Sequence, residues 1–163
     1  LSLAQGGAIL IGHLVGMKKI QAAYTIGKRV MRLGVTISVS LNIVTALFGR
    51  QILSMLTSDP WIITTGAAIL WIEILLENGR ALNFFGVNAL RSAGDIYFPV
   101  IVGIIVMWGI QVVGSYILGI WLGWGLIAMW TVFALDENIR GLIFLRRWNS
   151  FKWVGKAFFI ISR

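Results

Sequence analysis

Trp71–Pro99, WIEILLENGRALNFFGVNALRSAGDIYFP, decides how this chain is read. The stretch is strongly apolar, yet Glu73, Glu77 and Arg80 stand in its middle. It ends on a small-residue turn, Ser92-Ala93-Gly94-Asp95, before a second apolar run begins. Spacings of four and three residues put the three charges on one face of a helix. Charges in a low-dielectric medium need partners, because burying one unpaired is costly.

Composition identifies the medium. Of the 163 residues, 58% are hydrophobic and only 12% charged, whereas a soluble domain carries about 25% charged residues. Mean hydropathy is +0.88. Cysteine is absent, which excludes a disulfide framework and a thiolate metal site. The net charge of +8 sits in short basic strips between long apolar runs, a pattern that fits a membrane surface and argues against a nucleic-acid partner. The chain starts at Leu1 with no signal peptide and reads as a fragment.

Working outward, the uncharged runs predict an all-α integral membrane protein with five transmembrane helices, at about 1–17, 33–52, 60–90, 96–118 and 125–145. The membrane bundle covers 1–148, and a basic cytoplasmic tail covers 149–163. Thr57-Ser58-Asp59-Pro60 marks the start of the third span, with Ser58 or Asp59 as the cap and Pro60 where a missing N–H costs little. Residues 96–135 hold no formal charge. As one helix they would be ~60 Å long, twice the hydrocarbon thickness, so they predict two spans that fold back near Gly119–Gly125. The basic linker KKIQAAYTIGKRVMR, residues 18–32, reads as a short amphipathic helix on the membrane surface.

With five spans, 11 of the 14 basic residues fall on one side: Lys18, Lys19, Lys28, Arg29, Arg32, Arg91, Arg146, Arg147, Lys152, Lys156 and Arg163. The positive-inside rule makes that side cytoplasmic, with the C-terminus inside, in a multi-pass protein of the cell inner (plasma) membrane. On the fifth span, Asp136, Glu137 and Arg140 echo the charges of the third. Counting from Arg91 and Arg146, both sets lie roughly 15 Å deep, near the bilayer midplane. Matching depths predict an ion pair between Arg80 and Asp136 or Glu137, and another between Glu77 and Arg140.

Two readings of these charges are open. In one, an intramembrane ion-pair network built on Arg80 and Arg140 locks two helices. In the other, a carboxylate takes up a proton or binds Na⁺. Glu77 is the preferred ion carrier, then Glu73, with Asp136 and Glu137 as further candidates. Asn83, Asn88, Gln5 and His13 are candidates for a polar cavity lining or for helix–helix hydrogen bonds. No catalytic triad, P-loop, metal cluster or dinucleotide fingerprint is present, so the reading is not an enzyme, with no metal and no cofactor beyond Na⁺ or H⁺ as a coupling ion.

Four segments in order, GHLVGMKKIQAAY (12–24), LSMLTSDP (53–60), ILLENGRALNFFGVNALRSAGDIYFP (74–99) and FALDENIRGLIFLRRW (133–148), resemble the C-terminal half of multidrug and toxic compound extrusion (MATE) transporters. Leu90–Pro99 is the most specific part. Related bacterial members often read Glu-Pro-Gly-Arg where this chain has Glu77-Asn78-Gly79-Arg80, so a proline kink is not expected here. The resemblance implies twelve helices in two six-helix lobes, with these five spans as helices eight to twelve of the second lobe. It implies a missing N-terminal lobe as partner, small-molecule substrates, and antiport of organic cations or amphipathic drugs against Na⁺ or H⁺. The alternatives are a lipid-linked or glycan flippase of the wider superfamily, and a non-transporting membrane interaction protein from a truncated gene.

Overall fold

Asp59 and Pro60 set the start of the longest helix. The Asp59 carboxylate accepts hydrogen bonds from the Trp61 and Ile62 N–H groups at 2.8 and 3.4 Å, and Pro60 takes the first helical position. In the computed structural model, which describes residues 2–155, that helix runs without a break to Ser92. The described residues form six helices and no strand: α1 (Ser2–Gly16), α2 (Ile20–Leu47), α3 (Gly49–Leu56), α4 (Pro60–Ser92), α5 (Tyr97–Trp121) and α6 (Gly125–Asn149). Within α5 the backbone winds as π-helix over Met107–Val112 and Ser115–Trp121. The expected fold-back follows, through Gly123 and Gly125 at φ +70° and +69°, a region that glycine enters without steric cost.

Three helices, α2, α4 and α5, are long and apolar enough to cross a membrane. α1 has 15 residues, and α6 has 25 with three charges in its middle. The outer face of α5 exposes Ile101, Ile105 and Trp108, and a row of this kind belongs against hydrocarbon or another apolar surface, not water.

α4 is the hub, packed against α1, α2, α3 and α6, and its interface with α6 is the most extensive in the molecule. The two run parallel: Gly79 meets Glu137 and Asn138, Gly141 meets Asn83, and Gly86 meets Phe144. α2 runs against both, with Gly34 on Phe85 and Gly27 on Trp148, and α5 runs against α6, with Gly114 on Val132 and Gly119 on Met129. A buried apolar cluster gathers at one end, where α1, α4 and α6 stop and α2 starts; Ile11, Ala23, Leu90, Phe144 and Trp148 pack there.

Two expectations need correction. Residues 18–32 do not form a separate surface helix, since only Met17–Lys19 break the chain. Lys18 adopts a left-handed φ of +59°, and the Lys18 and Lys19 N–H groups donate to Val15 and Leu14 carbonyls at 2.9 Å, closing α1. From Ile20 onward no proline interrupts, and the helix runs through Gly27, which packs against the Trp148 ring. The second span also stops earlier than expected. α2 ends at Leu47, and the backbone at Phe48 (φ −95°, ψ 8°) hands over to α3, so residues 49–52 belong to a different helix.

The tail expected over 149–163 is described as far as Gly155; Lys156 and Arg163, like Leu1, lie outside the described residues. Trp153 is fully buried and stacks on Trp148 at 4.4 Å. Its Nε1 donates to the Trp148 carbonyl at 3.0 Å.

The α4–α6 seam leaves no room for a side chain at Gly79: a Cβ there would lie 2.7 Å from the Asn138 Nδ2 and from the Glu137 carbonyl carbon. Gly79→Val is expected to lower the stability of the complete protein in detergent by about 2–3 kcal/mol, as overpacking does. Gly109→Ala, at a glycine with open space around it, should stay within about 0.5 kcal/mol. Thermal unfolding of the two variants checks the contrast.

Candidate functional site

The polar groups of α4 and α6 lie at mid-helix. Residue 76 is the midpoint of α4 and residue 137 that of α6, so Glu77 and Glu137 sit at or beside the centres. The seam around them is joined by neutral donors. Asn138 accepts from the Asn78 amide at 3.0 Å and donates to the Leu75 carbonyl at 2.8 Å. The Asn83 amide donates to Glu137 Oε2 at 2.6 Å, and the Trp130 indole donates to Glu73 Oε2 at 2.7 Å.

Each helix carries its own charge triad. Arg80 pairs with Glu77 and reaches Glu73 Oε1 at 3.4 Å. Arg140 pairs with Asp136 and with Glu137 Oε1 at 3.0 Å. The expected interhelical pairs, Arg80 with Asp136 or Glu137 and Glu77 with Arg140, are therefore not formed. The reason is local: each arginine has a carboxylate three or four residues away on its own face. The backbones also meet so closely at Gly79 that short amides fill the seam, while the long side chains flank it.

Each triad holds two carboxylates and one guanidinium, a formal charge of −1 when all are ionised. Their surroundings differ. Asp136 is completely buried, and its Oδ1 and the Arg140 Nε have no hydrogen-bond partner among the described residues. The Arg80 side chain is 49% exposed. Glu77 and Arg80 line a cavity of about 480 Å³ between α1, α2 and α4, walled by Ile37, Phe84 and Phe85. A second cavity, about 450 Å³, lies between α4, α5 and α6 and is lined by Asn83, Asn88, Arg91 and Arg140.

The structure thus brings six of the predicted residues into two triads and bonds Asn83 to Glu137 of the second. Asn88 lines the second cavity but donates to its own helix, at the Phe84 carbonyl. Gln5 and His13 are exposed on α1 and join neither triad. The sequence reading missed Trp130, Asn78 and Asn138. The signal for the two asparagines was polar residues beside the charges inside apolar runs; Trp130 gave none.

Arg140→Gln would strand the buried Asp136 carboxylate, and a loss of about 3–5 kcal/mol is expected. Asp136→Asn combined with Arg140→Gln should recover most of it. Arg80→Gln leaves Glu73 and Glu77 on an open cavity, with Glu73 still held by Trp130, and should cost less than Arg140→Gln. Thermal unfolding of the three variants checks this order.

A sequence model of the MatE family matches residues 1–117. The chain is 37% identical over 156 residues to the uncharacterised transporter YisQ of Bacillus subtilis (strain 168), covering 96% of this chain and 34% of that protein. It is 24% identical over 148 residues to the probable multidrug resistance protein NorM of Thermotoga maritima, covering 91% of this chain and 32% of that protein. The chain spans about a third of the length of these curated relatives. With most of its residues inside the family match, this chain belongs to the MatE family, the multidrug and toxic compound extrusion family.

Proposed function

We propose that this chain is part of the second lobe of a secondary multidrug efflux transporter, which exports organic cations or similar amphipathic compounds in exchange for Na⁺ or H⁺. Its α1, α2, α4, α5 and α6 are the five spans of a membrane bundle over 1–148, and the rest of the transporter supplies the opposing lobe. The orientation follows the distribution of basic residues, with the C-terminus on the cytoplasmic side of the plasma membrane. Rocking of the lobes gives alternating access, and occupation of a carboxylate by the coupling ion biases the two states.

The observation that carries this reading is the Glu77–Arg80 cavity. Two carboxylates share one guanidinium near mid-span, which leaves a negative charge that a proton or Na⁺ can neutralise. Phe84 and Phe85 add aromatic walls of the kind that hold organic cations. Glu77 is the ion carrier in this proposal, because it lines the cavity and Glu73 is held by Trp130. The Asp136–Glu137–Arg140 triad is the structural lock.

The flippase reading draws on one specific observation, the second cavity with Arg91 and Arg140 on its wall, which suits an anionic headgroup. Drug efflux from cells expressing the complete gene, with the sodium and proton gradients collapsed separately, decides between the two. Efflux that stops with one gradient is the expected result and names the ion; no efflux under either gradient, with the protein in the membrane, favours the flippase. In the same assay Glu77→Gln should cut ion-driven efflux by about tenfold or more at unchanged protein level. An equal loss of folded protein would make Glu77 part of the lock.

A further inference from the structure

All six carboxylate side chains of this chain are engaged. Asp59 caps α4, Glu73 and Glu77 hold Arg80, Asp136 and Glu137 hold Arg140, and Asp95 holds Arg147. Lys18, Lys19, Lys28, Arg29, Arg32, Arg91, Arg146 and Lys152 pair with no acid among the described residues, and all lie toward the end of the bundle where α4 and α6 stop. Among the described residues, no acid is left to balance this end.

One cavity there is shaped for an anion. About 240 Å³ in volume, it lies between the start of α5 and the end of α6, lined by Phe98, Ile143, Arg146, Arg147, Ser150 and Lys152. Arg147 is fixed in place. Its Nε donates to the buried Asp95 at 2.8 Å, and its guanidinium lies 4.5 Å above the Phe98 ring. Both Nη groups are left without a protein partner among the described residues. Phe98 and Ile143 form an apolar floor beside three cations. The site thus combines cationic donors with a hydrophobic surface, at the level where a membrane-spanning helix leaves the hydrocarbon.

We infer that this cavity binds the phosphodiester headgroup of an anionic phospholipid, with Arg146, Arg147 and Lys152 on the phosphate and Phe98 and Ile143 against the start of the acyl chains. The inference rests on the membrane orientation proposed above and not on transport, so it stands or falls separately from efflux.

The test is thermal unfolding of the complete protein in detergent, titrated with phosphatidylglycerol or phosphatidylcholine in mixed micelles, or with inorganic phosphate. Phosphatidylglycerol should raise the unfolding midpoint saturably, and phosphatidylcholine should not. The double variant Arg146→Gln/Lys152→Gln should shift half-saturation by about 25-fold, roughly fivefold for each cation. Removing two exposed cations that do not line the cavity, Lys19→Gln/Arg29→Gln, should change it by less than about twofold, since screening weakens charges that make no direct contact. Equal losses from the two double variants would overturn the site in favour of a diffuse basic surface. The full shift with inorganic phosphate alone would make it a free-anion site. No response of the unmodified protein to phosphatidylglycerol would also overturn the proposal.

Discussion

The rest of the molecule depends on the approach of α4 and α6 at Gly79 and Gly141. A Cβ on Gly141 would lie 3.0 Å from the Gly79 carbonyl oxygen and 3.1 Å from the Asn83 nitrogen, so the two backbones all but touch. In hydrocarbon there is no hydrophobic force to press helices together, and close packing with interhelical hydrogen bonds has to supply the attraction. The asparagines show how the contact is used. At this separation a two-carbon amide can span the gap, and Asn138 bonds both the Asn78 side chain and the Leu75 backbone.

That closeness also sorts the charges. Arginine side chains are too long for the seam and turn to acids of their own helix, which produces two similar triads with different access. One opens on a cavity beside α1 and α2; in the other Asp136 is fully buried, while Arg140 reaches the wall of the cavity between α4, α5 and α6. The same pattern of residue types therefore has two environments, which differ most at one acid: Asp136 is fully buried, whereas both acids of the first triad keep some exposure.

Much of the fold was legible in the chain. Asp59-Pro60 marked the start of α4, the glycine-rich stretch after Trp121 marked the fold-back into α6, and the mid-run charges marked both triads. Partner choice was not legible. Spacing within a helix says which residues share a face, but the rotation of that face about the helix axis is a tertiary property. Equal depth of Arg80 and Asp136 was therefore mistaken for contact. The continuity of α2 was hidden for a related reason: Lys28, Arg29 and Arg32 read as an interface, whereas they ride on one long helix whose Gly27 packs on Trp148, 121 positions away. Trp130 was illegible because an indole in an apolar run has the same sequence signature whether it faces lipid or a carboxylate.

The tightest seam joins helices that are not neighbours in the chain. Asn78 and its partner Asn138 are 60 residues apart, with all of α5 between them. At ribosomal speeds of about 5–20 residues per second, Asn138 emerges roughly 3–12 s after Asn78. For that interval α4 carries Glu73, Asn78 and Asn83 without the partners that later satisfy them on α6, in surroundings where unsatisfied polar groups are costly. The insertion machinery must shelter one complete helix until its mate is made, so the order of synthesis is itself a constraint on how this protein reaches the membrane.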